Sequence, residues 1–212
     1  FPYVSKNAEK LVFGSGCFVY VIKGKNAEKN IMLMSHHDVV EGDDTWKTDP
    51  FNSVIMDGAL WGRGTIDTKT PLFAIFQACE ELLEERYTFD GFNVYIGSSD
   101  NEEVCGDGMV LATEYFKANG IHFEVVLDEG GAITQGMIPG VKNKSAMVAV
   151  HEKSRHLYKV KTKAVTKGHG GLVPSDDSAI LRLNGFINEV NDTKIYKGAF
   201  HPEVKATFET HA

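Results

Sequence analysis

A histidine and an aspartate two positions apart follow a short apolar run near the start of the chain. His36 and Asp38 come after the apolar residues 31–34, in the segment SHHDVV. Because side chains at positions i and i+2 of an extended segment point the same way, both can face one pocket. An imidazole nitrogen can bind a cation there, and a carboxylate can hold the other ring nitrogen. The pair predicts the start of a metal site, with a satisfied histidine at a strand end as the alternative.

Other carboxylates in the chain could complete such a site. Two hydrolytic metals need a bridging ligand, terminal ligands and an open position for water. They also need a carboxylate that is not a ligand, to take the proton from that water. An adjacent acidic pair can divide these roles, because neighbouring side chains diverge. The candidates for these roles are Asp67, Glu102, Glu103 and Asp128.

Each of these carboxylates also has an ordinary structural interpretation. Asp67 could cap a helix that begins near Thr68, because aspartate is a favoured N-cap. Glu102 and Glu103 could be a solvated loop pair, and Asp128 could form a turn before two glycines. The metal interpretation therefore depends on whether the fold brings the four together.

Alternating strands and helices must position these residues. Apolar stripes predict helices at 68–87 and 108–119, and the long irregular segment 39–64 predicts a functional loop. Apolar or β-branched segments predict strands at 17–23, 30–35, 92–98 and 123–127. This order predicts an α/β fold, with a mixed sheet covered by helices on both faces. Ligands bind outside the carboxyl ends of such strands, where the histidine and the acidic residues lie.

The pattern changes after about His151. Residues 157–165 alternate apolar and basic side chains, which predicts a strand with one solvated face. Ser175 predicts the N-cap of a helix at 176–190, and residues 204–208 predict a further strand. We therefore expect a catalytic domain at residues 1–152 and part of a smaller α+β domain at residues 153–212.

Composition and charge narrow the class of protein. Of the 212 residues, 42% are apolar and 24% charged, and the formal net charge of -7 argues against a nucleic-acid binder. The odd number of cysteines, three, favours a reducing compartment over a disulfide framework. No apolar run approaches the length of a membrane span. A cytoplasmic protein is therefore expected.

Five motifs, in order, resemble those of one enzyme family. They are SHHDVV (35–40), WKTDPF (46–51), GALWGRGTIDTK (58–69), NEEVCG (101–106) and LDEGG (127–131). They resemble the dizinc metallopeptidases that include aminoacylases, glutamate carboxypeptidase, succinyl-diaminopimelate desuccinylase and Gly-X carboxypeptidase. The resemblance implies a zinc-exopeptidase-like catalytic domain plus part of a lid and dimerisation domain. It also implies hydrolysis of a peptide or N-acyl amide bond next to a free carboxylate.

The resemblance implies a metal-binding role for four residues. Asp67 would bridge two zinc ions, for which cobalt or manganese could substitute. His36 and Asp128 would be ligands of one ion, and Glu103 a ligand of the other.

Three further residues would act in catalysis. Glu102 would be the general base, and Asp38 would orient His36. His169, in the segment GHGG, fits the family's lid histidine, which reaches the active site of the partner subunit and helps stabilise the oxyanion. A homodimer joined through the lid domain is therefore expected, acting on a small peptide or N-acyl amino acid without nucleic-acid or membrane partners.

The chain departs from the family pattern at two points. Asn101 stands where the family has an aspartate before the glutamate pair. The family's last metal-binding histidine has no counterpart, since His201 and His211 are not in a matching motif. The chain is therefore expected to be a fragment that could lack turnover on its own. A non-catalytic relative that dimerises or binds ligands is the competing hypothesis.

Overall fold

The described part of the chain divides into two units. The structure is a computed structural model that describes residues 1–138, 140–150, 157–164, 169, 174, 178–194 and 198–211. Its backbone contacts group into Phe1–Gly130 and Gly131–Ala212. The predicted domain boundary between residues 152 and 153 lies within 151–156, outside the described residues.

Helices and strands alternate along the described residues. The helices are α1 (Pro2–Asn7), α2 (Lys69–Glu84), α3 (Gly108–Ala118), α4 (Ala179–Thr193) and α5 (Pro202–His211). The strands are β1 (Ala8–Phe13), β2 (Cys17–Ile22), β3 (Lys25–His36), β4 (Val54–Met56), β5 (Ala59–Trp61), β6 (Asp90–Ser99), β7 (Val125–Leu127), β8 (Ile133–Thr134) and β9 (Ser145–Ala146).

Five strands of the first unit form one mixed sheet in the order β1-β2-β6-β3-β7. The β1–β2 and β2–β6 pairs are antiparallel, whereas β3 runs parallel to both β6 and β7. The four strands predicted from apolar segments are confirmed as β2, β3, β6 and β7. Strand β7 is shorter than predicted, because only its three residues pair with β3.

Apolar side chains of this sheet pack against helices on both faces. On one face, Phe76 of α2 packs in a cluster with Ile96 of β6. On the other face, Ala112 and Phe116 of α3 pack in a cluster with Tyr95. Because Tyr95 and Ile96 are neighbours that face opposite cores, the centre of β6 is apolar on both faces, as a doubly covered strand requires. The predicted α/β fold with helices on both faces is confirmed.

The register of the parallel strands brings their carboxyl ends to one edge of the sheet. His36, the last residue of β3, lies opposite Ser99, the last residue of β6. Leu33 of β3 lies opposite Leu127, the last residue of β7. The segments that follow β3, β6 and β7 therefore begin at the same edge, and these segments carry Asp38, the glutamate pair and Asp128.

A short hairpin lies inside the predicted long loop. Strands β4 and β5 pair antiparallel, with Met56 opposite Ala59. The two residues between them, Asp57 and Gly58, have φ angles of 54° and 74°. A type I′ hairpin turn requires positive φ at both positions, and Asp-Gly adopts it readily.

The first helix depends on a residue far along the chain. The side chain of Glu80, which is 8% exposed, accepts hydrogen bonds from the backbone N–H groups of Tyr3 at 3.0 Å and Val4 at 2.8 Å. It thereby satisfies two of the donors that the first turn of α1 leaves unpaired. Helix α1 has only six residues and is stabilised by a residue distant in the sequence, so local sequence patterns do not predict it.

The second unit differs from the prediction at the start of its first helix and at both predicted strands. Helix α4 begins at Ala179, and its N-cap is Ser178, whose hydroxyl accepts a hydrogen bond from the Ile180 N–H. The predicted N-cap, Ser175, lies outside the described residues. Residues 157–164 form no strand, because they have no paired strand among the described residues, and Val165 is not described.

The strand predicted at 204–208 is wrong, because these residues lie in helix α5. Val204 and Phe208 are four positions apart, a spacing that also puts two side chains on one side of a helix. Phe208 contacts Phe200 there, with 5.9 Å between the ring centroids. Among the described residues, no helix has the length and apolarity that crossing a bilayer requires.

Replacing Glu80 should destabilise the first unit. We expect Glu80→Gln to lower the free energy of unfolding by about 1–3 kcal/mol, because an amide loses the charge-assisted bonds to the α1 backbone. Glu81→Gln is the matched control, since Glu81 is exposed on the same helix. Urea unfolding measures both variants, and equal stabilities would contradict the role given to Glu80.

The three cysteines should differ in reactivity. Cys17 and Cys79 are buried, and burial raises the pKa of Cys79 and raises that of Cys17 to about 11, with the Asp100 charge adding to the latter. Cys105 is exposed. The thiolate is the reactive form of cysteine. We therefore expect N-ethylmaleimide at neutral pH to modify only Cys105 quickly in the native chain, and all three cysteines after unfolding. Mass spectrometry counts the adducts, and a Cys105→Ser variant that still reacts quickly would refute the assignment.

Candidate metal centre

His36 is buried at the end of β3 with oxygen atoms beside both ring nitrogens. It is 2% exposed. Its Nε2 lies 2.9 Å from Asp67 Oδ1, and its Nδ1 lies 3.0 Å from the Asp38 carbonyl oxygen and 3.3 Å from Asp38 Oδ1. Both nitrogens face acceptors, so this arrangement favours a ring that donates from both, as imidazolium does. A cation bound at Nε2 would replace one of these protons.

The environment of His36 favours its charged form. Burial lowers the pKa of His36, but the hydrogen bonds to Asp67 and Asp38 and the charges of Asp38 and Glu102 outweigh that effect, so the pKa lies above its ordinary value. The same negative groups that attract a proton would attract a metal ion. Protons and metal therefore compete for this nitrogen.

Asp38 connects the ends of two strands. Its Oδ1 accepts a hydrogen bond from the Glu102 N–H at 3.1 Å, and its Oδ2 accepts one from the Glu103 N–H at 3.0 Å. The same carboxylate lies against His36 Nδ1. Asp38 thus sets where the backbone of the glutamate pair lies relative to the imidazole.

The two glutamates differ in environment. Glu102 is half exposed, and its Oε2 lies 3.8 Å from His36 Nε2. Burial raises the pKa of Glu102, as do the nearby charges of Glu103, Asp38 and Asp67, against the opposing effect of His36. Glu103 is half-buried and lines a cavity together with Asp67. The two glutamates of the adjacent pair therefore differ in their surroundings and in exposure.

Asp67 is free to contact His36 because another residue begins the helix. The N-cap of α2 is Thr68, so the alternative that Asp67 caps this helix is wrong. Thr68 is buried, and its carbonyl oxygen accepts a hydrogen bond from Ser35 Oγ at 2.8 Å. The peptide bond between Asp67 and Thr68 is cis. The Asp67 carboxylate itself is 66% exposed.

Glu129 belongs to the cluster, although it is not among the residues predicted from the sequence. One ligand atom from each of His36, Asp67 and Glu129 lies within 4.8 Å of the others. Asp128 instead accepts a hydrogen bond from the Glu129 N–H at 2.8 Å, which is a turn contact. The signal for Glu129 was its place beside Asp128, because adjacent acidic residues can divide roles here as they do at Glu102 and Glu103. Asp128 as a ligand stays a prediction.

The donor set fits a divalent metal. Burial raises the pKa of Glu129, and the charges of Asp128, Asp67 and Glu102 raise it further. Carboxylates whose negative charges repel one another gain stability from a cation between them. One imidazole nitrogen with several carboxylate oxygens suits zinc, and cobalt or manganese bind similar sets.

The remaining candidates lie outside this cluster. His37 points away from His36, since its ring stacks on Phe18 and its Nδ1 lies 2.8 Å from Ser98 Oγ. The side-chain oxygen of Asn101 accepts hydrogen bonds from Ser99 Oγ and the Gly108 N–H. The asparagine that replaces the family's aspartate thus has a structural role within its loop.

His169 and His201 belong to the second unit. His169 is exposed in that unit, and its predicted role stays a prediction. The ring of His201 contacts Glu203.

Known proteins with similar sequences align with most of this chain. The chain is 32% identical over 202 residues to the N-fatty-acyl-amino acid synthase/hydrolase PM20D1.1 of Danio rerio, covering 93% of this chain and 39% of the relative. It is 33% identical over 186 residues to the probable carboxypeptidase S-like 2 of Dictyostelium discoideum, covering 85% of this chain and 35% of the relative. The chain thus spans well under half the length of these relatives.

A solved structure resembles the fold of this chain, and a family profile matches its sequence. Human carnosine dipeptidase 1 is similar with a TM-score of 0.53 at 19% identity, over 63% of this chain and 32% of that one, which concerns the fold alone. The profile described as Peptidase family M20/M25/M40 matches residues 32–208, a span that contains every predicted site residue. The expected family resemblance is confirmed: the chain belongs to Peptidase family M20/M25/M40.

Proposed function

We propose that the chain is the metal-binding part of a hydrolase that cleaves a peptide or N-acyl amide bond next to a free carboxylate. The observation that carries this proposal is the buried His36, with Asp67 at 2.9 Å and Glu102 at 3.8 Å from the same nitrogen. The names of two relatives, an N-fatty-acyl-amino acid synthase/hydrolase and a probable carboxypeptidase, support the substrate class.

Two zinc ions would be held by the residues around His36. Asp67 would bridge them, with Glu103 on one ion and His36 on the other. Asp128 or its neighbour Glu129 would complete the ligands on the His36 side. Bound zinc supplies Lewis acidity, which polarises a carbonyl group and acidifies water.

Glu102 would move the proton during the reaction. Its carboxylate takes a proton from the attacking water as the water oxygen bonds to the carbonyl carbon. It then gives that proton to the amine nitrogen as the carbon–nitrogen bond breaks. The raised pKa of Glu102 suits this exchange, because a base works best when its pKa lies nearer the working pH.

His169 would act from outside this unit. In a homodimer joined through the second domain, His169 of the partner subunit would donate a hydrogen bond to the oxyanion that forms on the substrate. The dimer and a cytoplasmic location both stay predictions.

Zinc binding and hydrolysis test the proposal together. We expect calorimetry to detect zinc binding by the chain, and to detect its loss in His36→Ala and Asp67→Ala but not in the control His122→Ala, whose side chain is exposed. In the full-length protein, Glu102→Gln should keep zinc and lower kcat for N-acyl amino acids and dipeptides by about 100- to 10,000-fold. Zinc affinity should weaken as the pH falls, because the proton competes at His36.

Two results would contradict this function. Protein that binds no zinc or cobalt and stays inert when either is added would favour the non-catalytic relative. Full activity in Glu102→Gln would remove the general base from the mechanism.

Replacing Asp38 tests the connection between His36 and the glutamate pair. Asp38→Asn puts an amide opposite backbone N–H groups, so we expect zinc affinity to fall about 10- to 100-fold while the fold persists. Asp44→Asn is the control, because Asp44 is an exposed aspartate of the following loop. Calorimetry gives the affinities and circular dichroism the fold, and equal affinities for both variants would leave Asp38 without this role.

A further inference from the structure

A cavity beside the start of α2 is lined by two cationic side chains. It has a volume of about 490 Å³, and Arg63 and Lys69 both line it. Among the described residues that line it, none is aspartate or glutamate, although the chain carries a formal net charge of -7. A concave surface of one charge sign raises the local concentration of ions of the opposite sign. This cavity therefore favours an anionic ligand.

The two cations lack carboxylate partners in the described part of the chain. No aspartate or glutamate oxygen there lies within 4.0 Å of a side-chain nitrogen of Arg63 or Lys69. Arg63 Nη2 donates a hydrogen bond to the Glu41 carbonyl oxygen at 2.6 Å, but Arg63 Nε is buried without a partner among the described residues. Lys69 is the first residue of α2, whose first turn contains no acidic residue. An anion here would meet two incompletely compensated charges, with a smaller contribution from the helix dipole.

The backbone of Gly64 holds the stem of Lys69 in place. The Lys69 N–H donates a hydrogen bond to the Gly64 carbonyl oxygen at 2.8 Å. A Cβ atom on Gly64 would lie 2.9 Å from Lys69 Cδ, so the lysine stem occupies the space that a side chain here would need. Gly64 also has a φ angle of 83°, which glycine adopts without strain. The Lys69 side chain is thus partly preorganised, which lowers the entropic cost of binding a ligand.

Aromatic rings and a hydroxyl group line the same cavity. Phe51 is 65% exposed and Phe73 is 59% exposed. Exposed rings in a cavity can contact the ring of a ligand. The Ser53 hydroxyl has no hydrogen-bond partner among the described residues, so it can donate to a ligand. The hydroxyls of Thr65 and Thr70 already donate to backbone carbonyl oxygens.

We infer that this cavity binds a phosphate monoester that carries an aromatic ring. Its phosphate oxygens would accept hydrogen bonds from Arg63, Lys69 and Ser53. Its ring would lie against Phe51 and Phe73. A dianion with three terminal oxygens matches two cations and a hydroxyl better than a carboxylate, which has one charge and two oxygens. The volume of the cavity lies within the range of small-molecule sites.

The proposed site is separate from the carboxylate cluster. Asp67 and Glu103 line a neighbouring cavity, which shares Arg63, Gly64 and Thr65 with this one. The cationic side chains supply the positive charge at the phosphate site, so no metal is needed there. The inference therefore goes beyond the proposed hydrolysis and can be tested on the metal-free chain.

Phosphorus NMR can measure this binding. The chain is freed of metal with EDTA and dialysed, so that no phosphate binds through zinc. Phenyl phosphate and inorganic phosphate are then titrated at a mildly alkaline pH, where both are mainly dianions. We expect phenyl phosphate to bind about tenfold more tightly than inorganic phosphate, because its ring contacts the two phenylalanines. Benzoate, which has the same ring and a single charge, should bind about tenfold more weakly than phenyl phosphate.

Matched variants locate the site. We expect Lys69→Gln to weaken the binding of both phosphates about tenfold, and Lys69→Arg to keep most of it. Lys47→Gln is the control, because Lys47 is an exposed lysine of the preceding loop that does not line the cavity. Phe51→Ala should weaken phenyl phosphate about fivefold and leave inorganic phosphate unchanged.

Three results would overturn this inference. They are the absence of saturable phosphate binding, equal affinities in Lys69→Gln and Lys47→Gln, and benzoate binding as tight as that of phenyl phosphate. Any of them would leave the proposed hydrolase intact, since zinc binding and turnover are measured separately. Phosphate binding by a chain that binds no zinc would support this site and contradict the hydrolase.

Discussion

The carboxylate of Asp38 is the contact on which the candidate metal centre depends. It accepts the N–H groups of both Glu102 and Glu103 and lies against Nδ1 of His36. One side chain thereby links the end of β3 to the loop that follows β6. The imidazole keeps Nε2 toward Asp67, and the glutamate pair starts from a fixed backbone position. Without this carboxylate, ligands on separate loops would have to be held by the metal alone.

The sheet order explains why a single residue can do this. Strand β3 lies between β6 and β7 and runs parallel to both, so the segments after all three strands begin at one edge. Burial on both faces keeps that edge rigid, because β6 contributes Tyr95 to one core and Ile96 to the other. At the candidate metal centre the imidazole of His36 is buried, whereas the carboxylates of Asp67 and Glu102 are more than half exposed.

Sequence patterns predicted the parts of the structure that local periodicity determines. Strand β6 and helix α2 follow from apolar runs and stripes that have one physical interpretation. Other parts depend on distant contacts or on ambiguous spacing. Helix α1 requires Glu80, and Val204 with Phe208 fits a strand or a helix equally well. At the metal centre, the sequence selected His36 and Asp67, which the structure brings together. It could not choose between Asp128 and Glu129, because turn geometry decides which adjacent side chain points inward.

Strand β7 has a practical consequence for work with this chain. It lies at one end of the sheet order, and Val125, Val126 and Leu127 are each more than half exposed. Among the described residues, β7 pairs only with β3, and an apolar strand at the edge of a sheet is a template for another strand. We therefore expect this edge to be the place where purified chains would pair with one another at high concentration. A lysine at position 126 would discourage such stacking without touching the metal-binding side chains.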